Sequence, residues 1–561
     1  MHAGDRAGAD RAPRRPGGDS APLRALAVLL AAAVVAIYVH GATGYPLAEP
    51  DETRYAEIGR EMVESGEWIA PHLNYVPFID KPPLVYWATA LSFTIAGQHE
   101  LAARLPSLLA GFATLLLTAA LATRMYGGAT ALLAVAVLAW APLFAFLAVV
   151  LTLDMSLTAC TTLALAAVWR VWRRGGDRRW VRVAYAATAL GVLVKGPVAV
   201  VLVAGVAVPF LLAHGGWRAL RPWCDWRGLA LAAAIALPWF VLVGWRYPEF
   251  WHAFVVEHHL QRFTVRDQHR EPPWFLVPVL IAGLAPWSAA VLLDPGLLRS
   301  RLDVRRWAPA TRFLALWAAV IVVFFSLSQS KLMTYVLPAL PPLAILLARL
   351  LLAGAAAGRT AGLARVGWGL LIGGPILGLV AAVLPWVDDH YRVPLIVPLL
   401  FAAAAPLFVA GLATRVLLAR RRPYAAMAAL AAGWALVFTV AVSGRAVVNQ
   451  YRDMGLVARA ALGPDDRLAL YGNFVPGMVF YPGRRAVMIG RPGELTFGSR
   501  QADAPEWFWP ADDAWIQREW AGPRRLLVFM KRQDLDRLRP LLVPPPVELA
   551  SKDKKVLIAS R

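Results

Sequence analysis

The chain has 561 residues, 58% of them hydrophobic and 17% charged, with a formal net charge of +21. Long Leu/Ala/Val runs at this composition exclude an ordinary soluble domain and specify a polytopic α-helical membrane protein. The arginines are spread over short loops between apolar runs rather than collected on one soluble face, which argues against nucleic-acid binding and for orientation signals. Two cysteines, Cys160 in an apolar run and Cys224 in a loop, make neither a disulfide framework nor a metal cluster.

Residues 1–21, rich in Gly, Arg and Pro, predict a disordered cytoplasmic tail. The apolar run that follows, about 22–41, is long for a signal-peptide core and is expected to stay as the first span. At about 20 residues per crossing, further spans fall near 101–122, 129–150, 154–172, 181–195, 197–213, 228–245, 273–293, 313–328, 332–352, 366–385, 393–414 and 425–442, thirteen in all. The apolar stretch from 129 to 172 is too long for one crossing. It turns at Thr152-Leu153-Asp154, its polar point, which puts Asp154 at the outer end. With the N-terminus inside, the arginine clusters at 170–179, 217–227, 299–306 and 415–422 fall on the inner face. The loop 42–100, Asp154, Lys195, 246–272, 328–331 and 386–392 then fall outside.

An odd number of spans leaves 443–561 outside as a soluble domain. Strand-like RLALYG (467–472), MVFYPG (478–483), RRLLVFM (524–530) and KKVLIAS (554–560) are interleaved with helix-like 453–462 and 533–542, which predicts a small α/β unit. No internal repeat is visible, against an inverted-repeat transporter of lipid-linked sugars.

The most unusual stretch is 49–83, EPDETRYAEIGREMVESGEWIAPHLNYVPFIDKPP, with eight of the 36 acids. Asp51, Glu52, Arg54 and Tyr55 follow the first span and Asp80 and Lys81 precede the next apolar run, so both signs of charge gather at one membrane face. Each has a plainer account. Acids after Pro50 suit a helix start, which is the preferred explanation of Glu52; Asp154 alone is what a helix N-cap looks like; Lys81 alone would snorkel. Together, Asp51 and Asp154 make a candidate two-carboxylate site on the outer side. Arg54, Lys81, Lys195, Arg262, Arg266, Arg270 and Lys331 share that side and are suited as a set to a phosphate or pyrophosphate, within reach of Tyr335. His258, His259 and His269 beside Glu257 and Asp267 are donors for a divalent metal, although the spacing matches no tight zinc motif. Trp239, Trp274 and Trp287 are expected in an aromatic belt.

In order along the chain, PDETRYAEIGREM, IDKPPLVYW, ARLPS, LTLDMSL, VKGP, EHHLQRF, QHREPPWF and SKLMTYVLPALPPLA resemble the 4-amino-4-deoxy-L-arabinose lipid A transferases and their polyprenyl-phosphate-dependent relatives, which are similar in turn to the protein O-mannosyltransferases. The resemblance runs from about 45 to 345. It implies a GT-C type fold with an outer C-terminal domain, an undecaprenyl-phosphate-linked sugar as donor, and a periplasmic acceptor such as lipid A. It implies catalytic roles for Asp51 and Asp154, and a lipid-phosphate cavity lined by Arg54, Tyr55, Lys81, Lys331 and Tyr335, to which Tyr86, Lys195 and Arg270 are added as candidate donor-binding residues. The family's Glu-Lys-Pro-Pro is here Asp80-Lys81-Pro82-Pro83, a departure that bears on a metal set joining Asp80 to His258, His259 and His269. The expected chemistry is an inverting displacement at the anomeric carbon, with polyprenyl phosphate leaving. Rival readings are a related transferase acting on a protein or another glycan, a transporter, and a membrane scaffold.

Overall fold

The computed structural model describes residues 20–252, 254, 271–299, 304–387, 393–443, 450–500 and 504–561. Each apolar run becomes helical, because a backbone in lipid must satisfy its own hydrogen bonds. α1 (Ser20–Thr43) leads to an amphipathic α2 (Asp51–Ser65), a hairpin of β1 (His72–Leu73) and β2 (Val76–Pro77), and a short apolar α3 (Leu84–Ala96). Then come α4 (Glu100–Tyr126), α5 (Gly128–Ala139), α6 (Pro142–Ala148), α7 (Leu153–Arg174), α8 (Arg178–Lys195), α9 (Val198–Gly215) and α10 (Trp226–Arg246). Helices at Leu276–Gly283, Trp287–Leu292, Pro309–Leu327, Leu340–Ala356, Ala361–Val387, Val393–Ala419 and Pro423–Ser443 complete the membrane part.

Among the described residues ten helices are long and apolar enough to cross a membrane, or eleven if α5 and α6 form one span bent by 71°. Pro142 opens α6 and holds Ala141 extended, which breaks the hydrogen-bond ladder at the bend. The expected thirteen is not confirmed by this measure of length and composition: α8 is a complete helix of 18 residues whose ends carry Arg178, Arg179, Arg182 and Lys195, and the 273–293 run is interrupted at 284–286 between two short helices. The turn before α7 lies at 149–152, so Thr152 and not Asp154 is the cap, its hydroxyl accepting from the Met155 amide at 3.4 Å.

The outer loop is held by buried charge. Glu52 and Arg104 meet through two contacts of 2.7 and 2.9 Å. Glu52 also accepts from the amides of Ala48 (2.9 Å) and Leu151 (2.8 Å), and Arg104 donates to the carbonyls of Ala42, Tyr45 and Pro46, each at 2.9 Å. One ion pair thus ties α2 to α4, to the chain before α2 and to the α6–α7 turn. On the same helix Arg60 grips Glu57 at 2.7 and 2.6 Å, and Glu61 accepts from the Tyr75 amide at 2.8 Å.

The C-terminal unit is a six-stranded sheet in the order β5-β4-β3-β6-β8-β7, from β3 (Arg467–Tyr471), β4 (Ala486–Ile489), β5 (Phe508–Trp509), β6 (Leu526–Lys531), β7 (Val547–Lys552) and β8 (Lys555–Ala559). The first four strands in space run parallel, and β8 and β7 close the sheet antiparallel. MVFYPG is not a strand: Gly477–Phe480 forms one helical turn between Pro476 and Pro482. The unit sits on the outer loop. Asn74, at the tip of the β1–β2 hairpin with φ 56°, uses its amide to pair both backbone groups of Ala486 at 2.8 Å. The Tyr481 hydroxyl accepts from the Leu47 amide at 2.8 Å, and the Glu49 carboxylate accepts from the Gly477 amide at 2.8 Å. These contacts put the sheet domain and the loop on the same face.

Candidate active site

The first turns of α2 present Asp51, Arg54 and Tyr55, spaced to share one side of the helix. Asp51 is open to solvent, with 67% of its side chain exposed, and meets Arg54 at 2.9 Å. Arg54 has a second carboxylate, Glu494 of the C-terminal unit, 2.6 Å from its Nε. The Tyr55 ring lies 5.8 Å from that of Tyr86 on α3. Burial pushes the Tyr55 hydroxyl well above its ordinary range; Asp51, Asp80 and Asp154 push the same way and Arg54 opposes them. Tyr55 is thereby kept as a neutral donor with three carboxylates and a guanidinium in its field. The Tyr86 hydroxyl is buried and has no hydrogen-bond partner among the described residues, the condition of a group that awaits a ligand.

Two further ion pairs complete the cluster. Lys81 reaches the Asp80 carboxylate at 2.7 Å, with both side chains mostly buried, rather than snorkelling alone. Lys195, the last residue of α8, pairs with Asp154 in the first turn of α7. The Lys195 ammonium also lies over the Tyr335 ring, 4.6 Å from its centre. Because Thr152 takes the capping role, the Asp154 carboxylate is left for this contact. Three separate segments therefore bring the cations Arg54, Lys81 and Lys195 to one end of the helical bundle, each beside an acid that holds it in place.

Other expected residues are placed differently. Lys331 is buried, and its ammonium donates to the carbonyls of Ser328 (2.6 Å) and Glu271 (3.0 Å). Arg262, Arg266, Arg270, Glu257, Asp267, His258, His259 and His269 lie outside the described residues. Among the described residues no group of three or more His, Cys, Asp or Glu is arranged to hold a metal. Trp239 and Trp287 are buried rather than belted at the interface, and Trp239 donates to the Ile69 carbonyl at 2.7 Å; Trp274 is exposed. Glu52 is more than a helix-start acid, being the buried partner of Arg104.

Glu494 was not anticipated. It stands more than 400 residues from Arg54, in the C-terminal unit. Burial raises its pKa above the usual carboxylate range against the opposing pull of Arg54, and Asp51 and Asp80 raise it further, so it belongs to the same electrostatic cluster.

Comparison with known proteins gives the arrangement a context. Residues 80–242 match the family model for dolichyl-phosphate-mannose-protein mannosyltransferase, and residues 454–560 match that for the aminoarabinose transferase C-terminal domain. The undecaprenyl phosphate-α-4-amino-4-deoxy-L-arabinose arabinosyl transferase of Pseudomonas aeruginosa (strain UCBPP-PA14) is 34% identical, with 76% of this chain and 77% of that protein covered. The protein of the same name from Pectobacterium atrosepticum is 30% identical over 93% of this chain and 95% of its own length. The crystal structure of ArnT from Cupriavidus metallidurans bound to undecaprenyl phosphate superposes with a TM-score of 0.82 at 28% identity, covering 96% of this chain and 98% of that one. A bundle with three cation–acid pairs gathered at its outer end, capped by a sheet domain of the aminoarabinose transferase type, and full-length relatives at this identity lead to one assignment: the chain belongs to the undecaprenyl phosphate-α-4-amino-4-deoxy-L-arabinose arabinosyl transferase family.

Proposed function

We propose that this protein is a glycosyltransferase of the inner membrane that moves 4-amino-4-deoxy-L-arabinose from undecaprenyl phosphate to lipid A on the periplasmic face. The observation that carries the reading is the set of cations Arg54, Lys81 and Lys195, each paired with an acid, whose partners Asp51, Asp80 and Asp154 all act on the Tyr55 hydroxyl beside Tyr86. An oxygen of the acceptor phosphate attacks the anomeric carbon opposite its bond to the lipid phosphate. That bond breaks, its electron pair leaves on undecaprenyl phosphate, and the configuration inverts. Negative charge grows on the leaving phosphate, and the three cations with the neutral Tyr55 donor are placed to offset it. A lipid A phosphate is already ionised at neutral pH, so Asp51, exposed at the rim, positions the acceptor rather than deprotonating it. Asp154, fixed by Lys195, holds the amino group of the sugar.

Sugar transfer by Asp51→Asn and Lys81→Ala proteins in membranes tests the site; near-normal rates in both would remove it. Mass spectrometry of lipid A from cells with and without the protein tests the acceptor. A pentosamine-sized difference is expected, and its absence would turn the reading toward a protein or glycan acceptor. With a hydroxyl acceptor, which must lose a proton, Asp51→Asn would be far more damaging.

A further inference from the structure

The opposite end of the bundle carries a second concentration of charge that the transfer reaction does not use. A cavity of about 260 Å³ opens between the start of α8, the short 3-10 helix Gly216–Trp223 and the start of α10, lined by Arg178, Arg182, Arg221, Asp225, Trp226 and Arg227 among others. Four guanidiniums thus face one carboxylate. That carboxylate is already committed: Asp225 is buried and meets Arg182 at 2.9 Å. Among the described residues no ion pair or hydrogen bond engages the side chains of Arg178, Arg221 or Arg227. The floor is built to hold its shape, since the Tyr185 hydroxyl donates to the Trp223 carbonyl at 2.6 Å. A Cβ on Gly228 would fall 2.6 Å from the Tyr185 ring, so α8 and α10 approach closely there.

The position supplies the rest of the argument. α8 ends at Lys195 in the outer site, and Arg178 stands at its other end, roughly 25 Å away at about 1.5 Å per residue. That separation is close to the hydrocarbon thickness of about 30 Å, so the cavity lies at the inner headgroup level. Trp217 and Trp226, exposed by 79% and 71%, stand on its neighbouring segments, as tryptophans do at a membrane interface.

We infer that this basin is a binding site for a phosphate-bearing anion, in the form of an anionic phospholipid headgroup of the inner leaflet. Four arginines around a single carboxylate leave the basin net positive, and a phosphodiester offsets that charge while its glycerol packs beside Trp226. Basic pockets between helices on the cytoplasmic side take lipid headgroups in this way.

The test uses the full-length protein, purified in neutral detergent and stripped of lipid, titrated with mixed micelles of phosphatidylglycerol or phosphatidylcholine and, separately, with inorganic phosphate and pyrophosphate. Phosphatidylglycerol is expected to raise the unfolding temperature and to be retained in native mass spectra, whereas phosphatidylcholine is not. Replacing Arg178, Arg221 and Arg227 together by Gln should weaken phosphatidylglycerol binding by roughly fivefold per arginine, on the order of a hundredfold in all, with sugar transfer unchanged. The corresponding triple Lys protein should keep most of the binding, which separates lost charge from lost fold. Competition by inorganic phosphate at equal concentration would assign the site to a free anion instead of a lipid. Equal retention of both lipids by the wild type, or undiminished phosphatidylglycerol binding by the Gln protein, would overturn the inference.

Discussion

Replacing Arg104 by Met, close in length but without charge, tests whether the outer loop is held by its buried ion pair. Both partners are buried: the relative side-chain exposures are 0% for Arg104 and 1% for Glu52. The substitution removes both contacts to the carboxylate, the donors to three carbonyls, and a guanidinium stacked 3.7 Å from the centre of the Tyr45 ring. What remains is a buried carboxylate with two backbone amides and no counter-charge. Such a break costs about 3–5 kcal/mol, a large fraction of a typical folding stability of about 5–15 kcal/mol. The loss should appear in equilibrium unfolding in mixed micelles, together with reduced sugar transfer, because α2 carries Asp51, Arg54 and Tyr55. Adding Glu52→Gln removes the uncompensated charge, so the double substitution should recover on the order of 1–3 kcal/mol relative to the sum of the single ones. A cost below about 1 kcal/mol for Arg104→Met, or strict additivity in the cycle, would refute the reasoning.

Three further outcomes follow from the seam between the loop and the sheet domain. Burial lifts the Glu49 carboxyl to about 7 from an ordinary 4.5; the folded state then holds its proton more tightly than the unfolded one, and stability falls by up to about 3 kcal/mol as pH rises from 4.5 through 7. Thermal unfolding across that window should show the decline, and Glu49→Gln should flatten it; an unchanged slope in the Gln protein would assign the effect elsewhere. Gly477→Ala would bring a Cβ within 2.0 Å of Glu49 Oε1, so it should displace that carboxylate and cost about 1–3 kcal/mol, read by the same unfolding assay and by faster proteolysis at the seam. Glu494→Gln removes one of the two acids beside Arg54, and is expected to change KM for the lipid-linked donor several-fold with a smaller effect on kcat; identical kinetics would detach Glu494 from the site.

Much of this was legible locally. The apolar runs announced the helices, and the alternation of arginine-rich and acid-rich loops separated the two faces. Within the C-terminal unit β3, β6 and β8 each carry a compact apolar run that opens beside a basic residue, Arg467, Arg525 and Lys555. The errors fall where a short apolar segment fits either helix or strand: Gly477–Phe480 winds into a helical turn, while Ala486–Ile489, equally short, is a fully buried strand between β3 and β5. Long-range pairings were not legible at all. Nothing near Glu494 signals Arg54, and nothing in the local spacing tells that Thr152 rather than Asp154 caps α7. Arg104 could have been found, since an arginine within an apolar run demands a buried partner, and Glu52 was the acid available at the same face.

The stretch that first stood out for its charge owes its usefulness to helical periodicity. Asp51, Arg54 and Tyr55 stand at i, i+3 and i+4 and form the face turned to the cluster, whereas Glu52, Glu57, Arg60 and Glu61 are buried in ion pairs and backbone contacts that fix the helix. A one-residue slip would turn α2 by about 100°, taking Glu52 off Arg104 and carrying Asp51, Arg54 and Tyr55 away from the cluster. The costly buried pair therefore does for this helix what a hydrophobic stripe does elsewhere: it fixes rotation and depth. It does so more sharply, because a guanidinium with five N–H donors meets the Glu52 carboxylate and three carbonyls in only one register. The precision required to hold Arg54 and Tyr55 against a lipid phosphate is supplied, on this argument, by charges that never touch it.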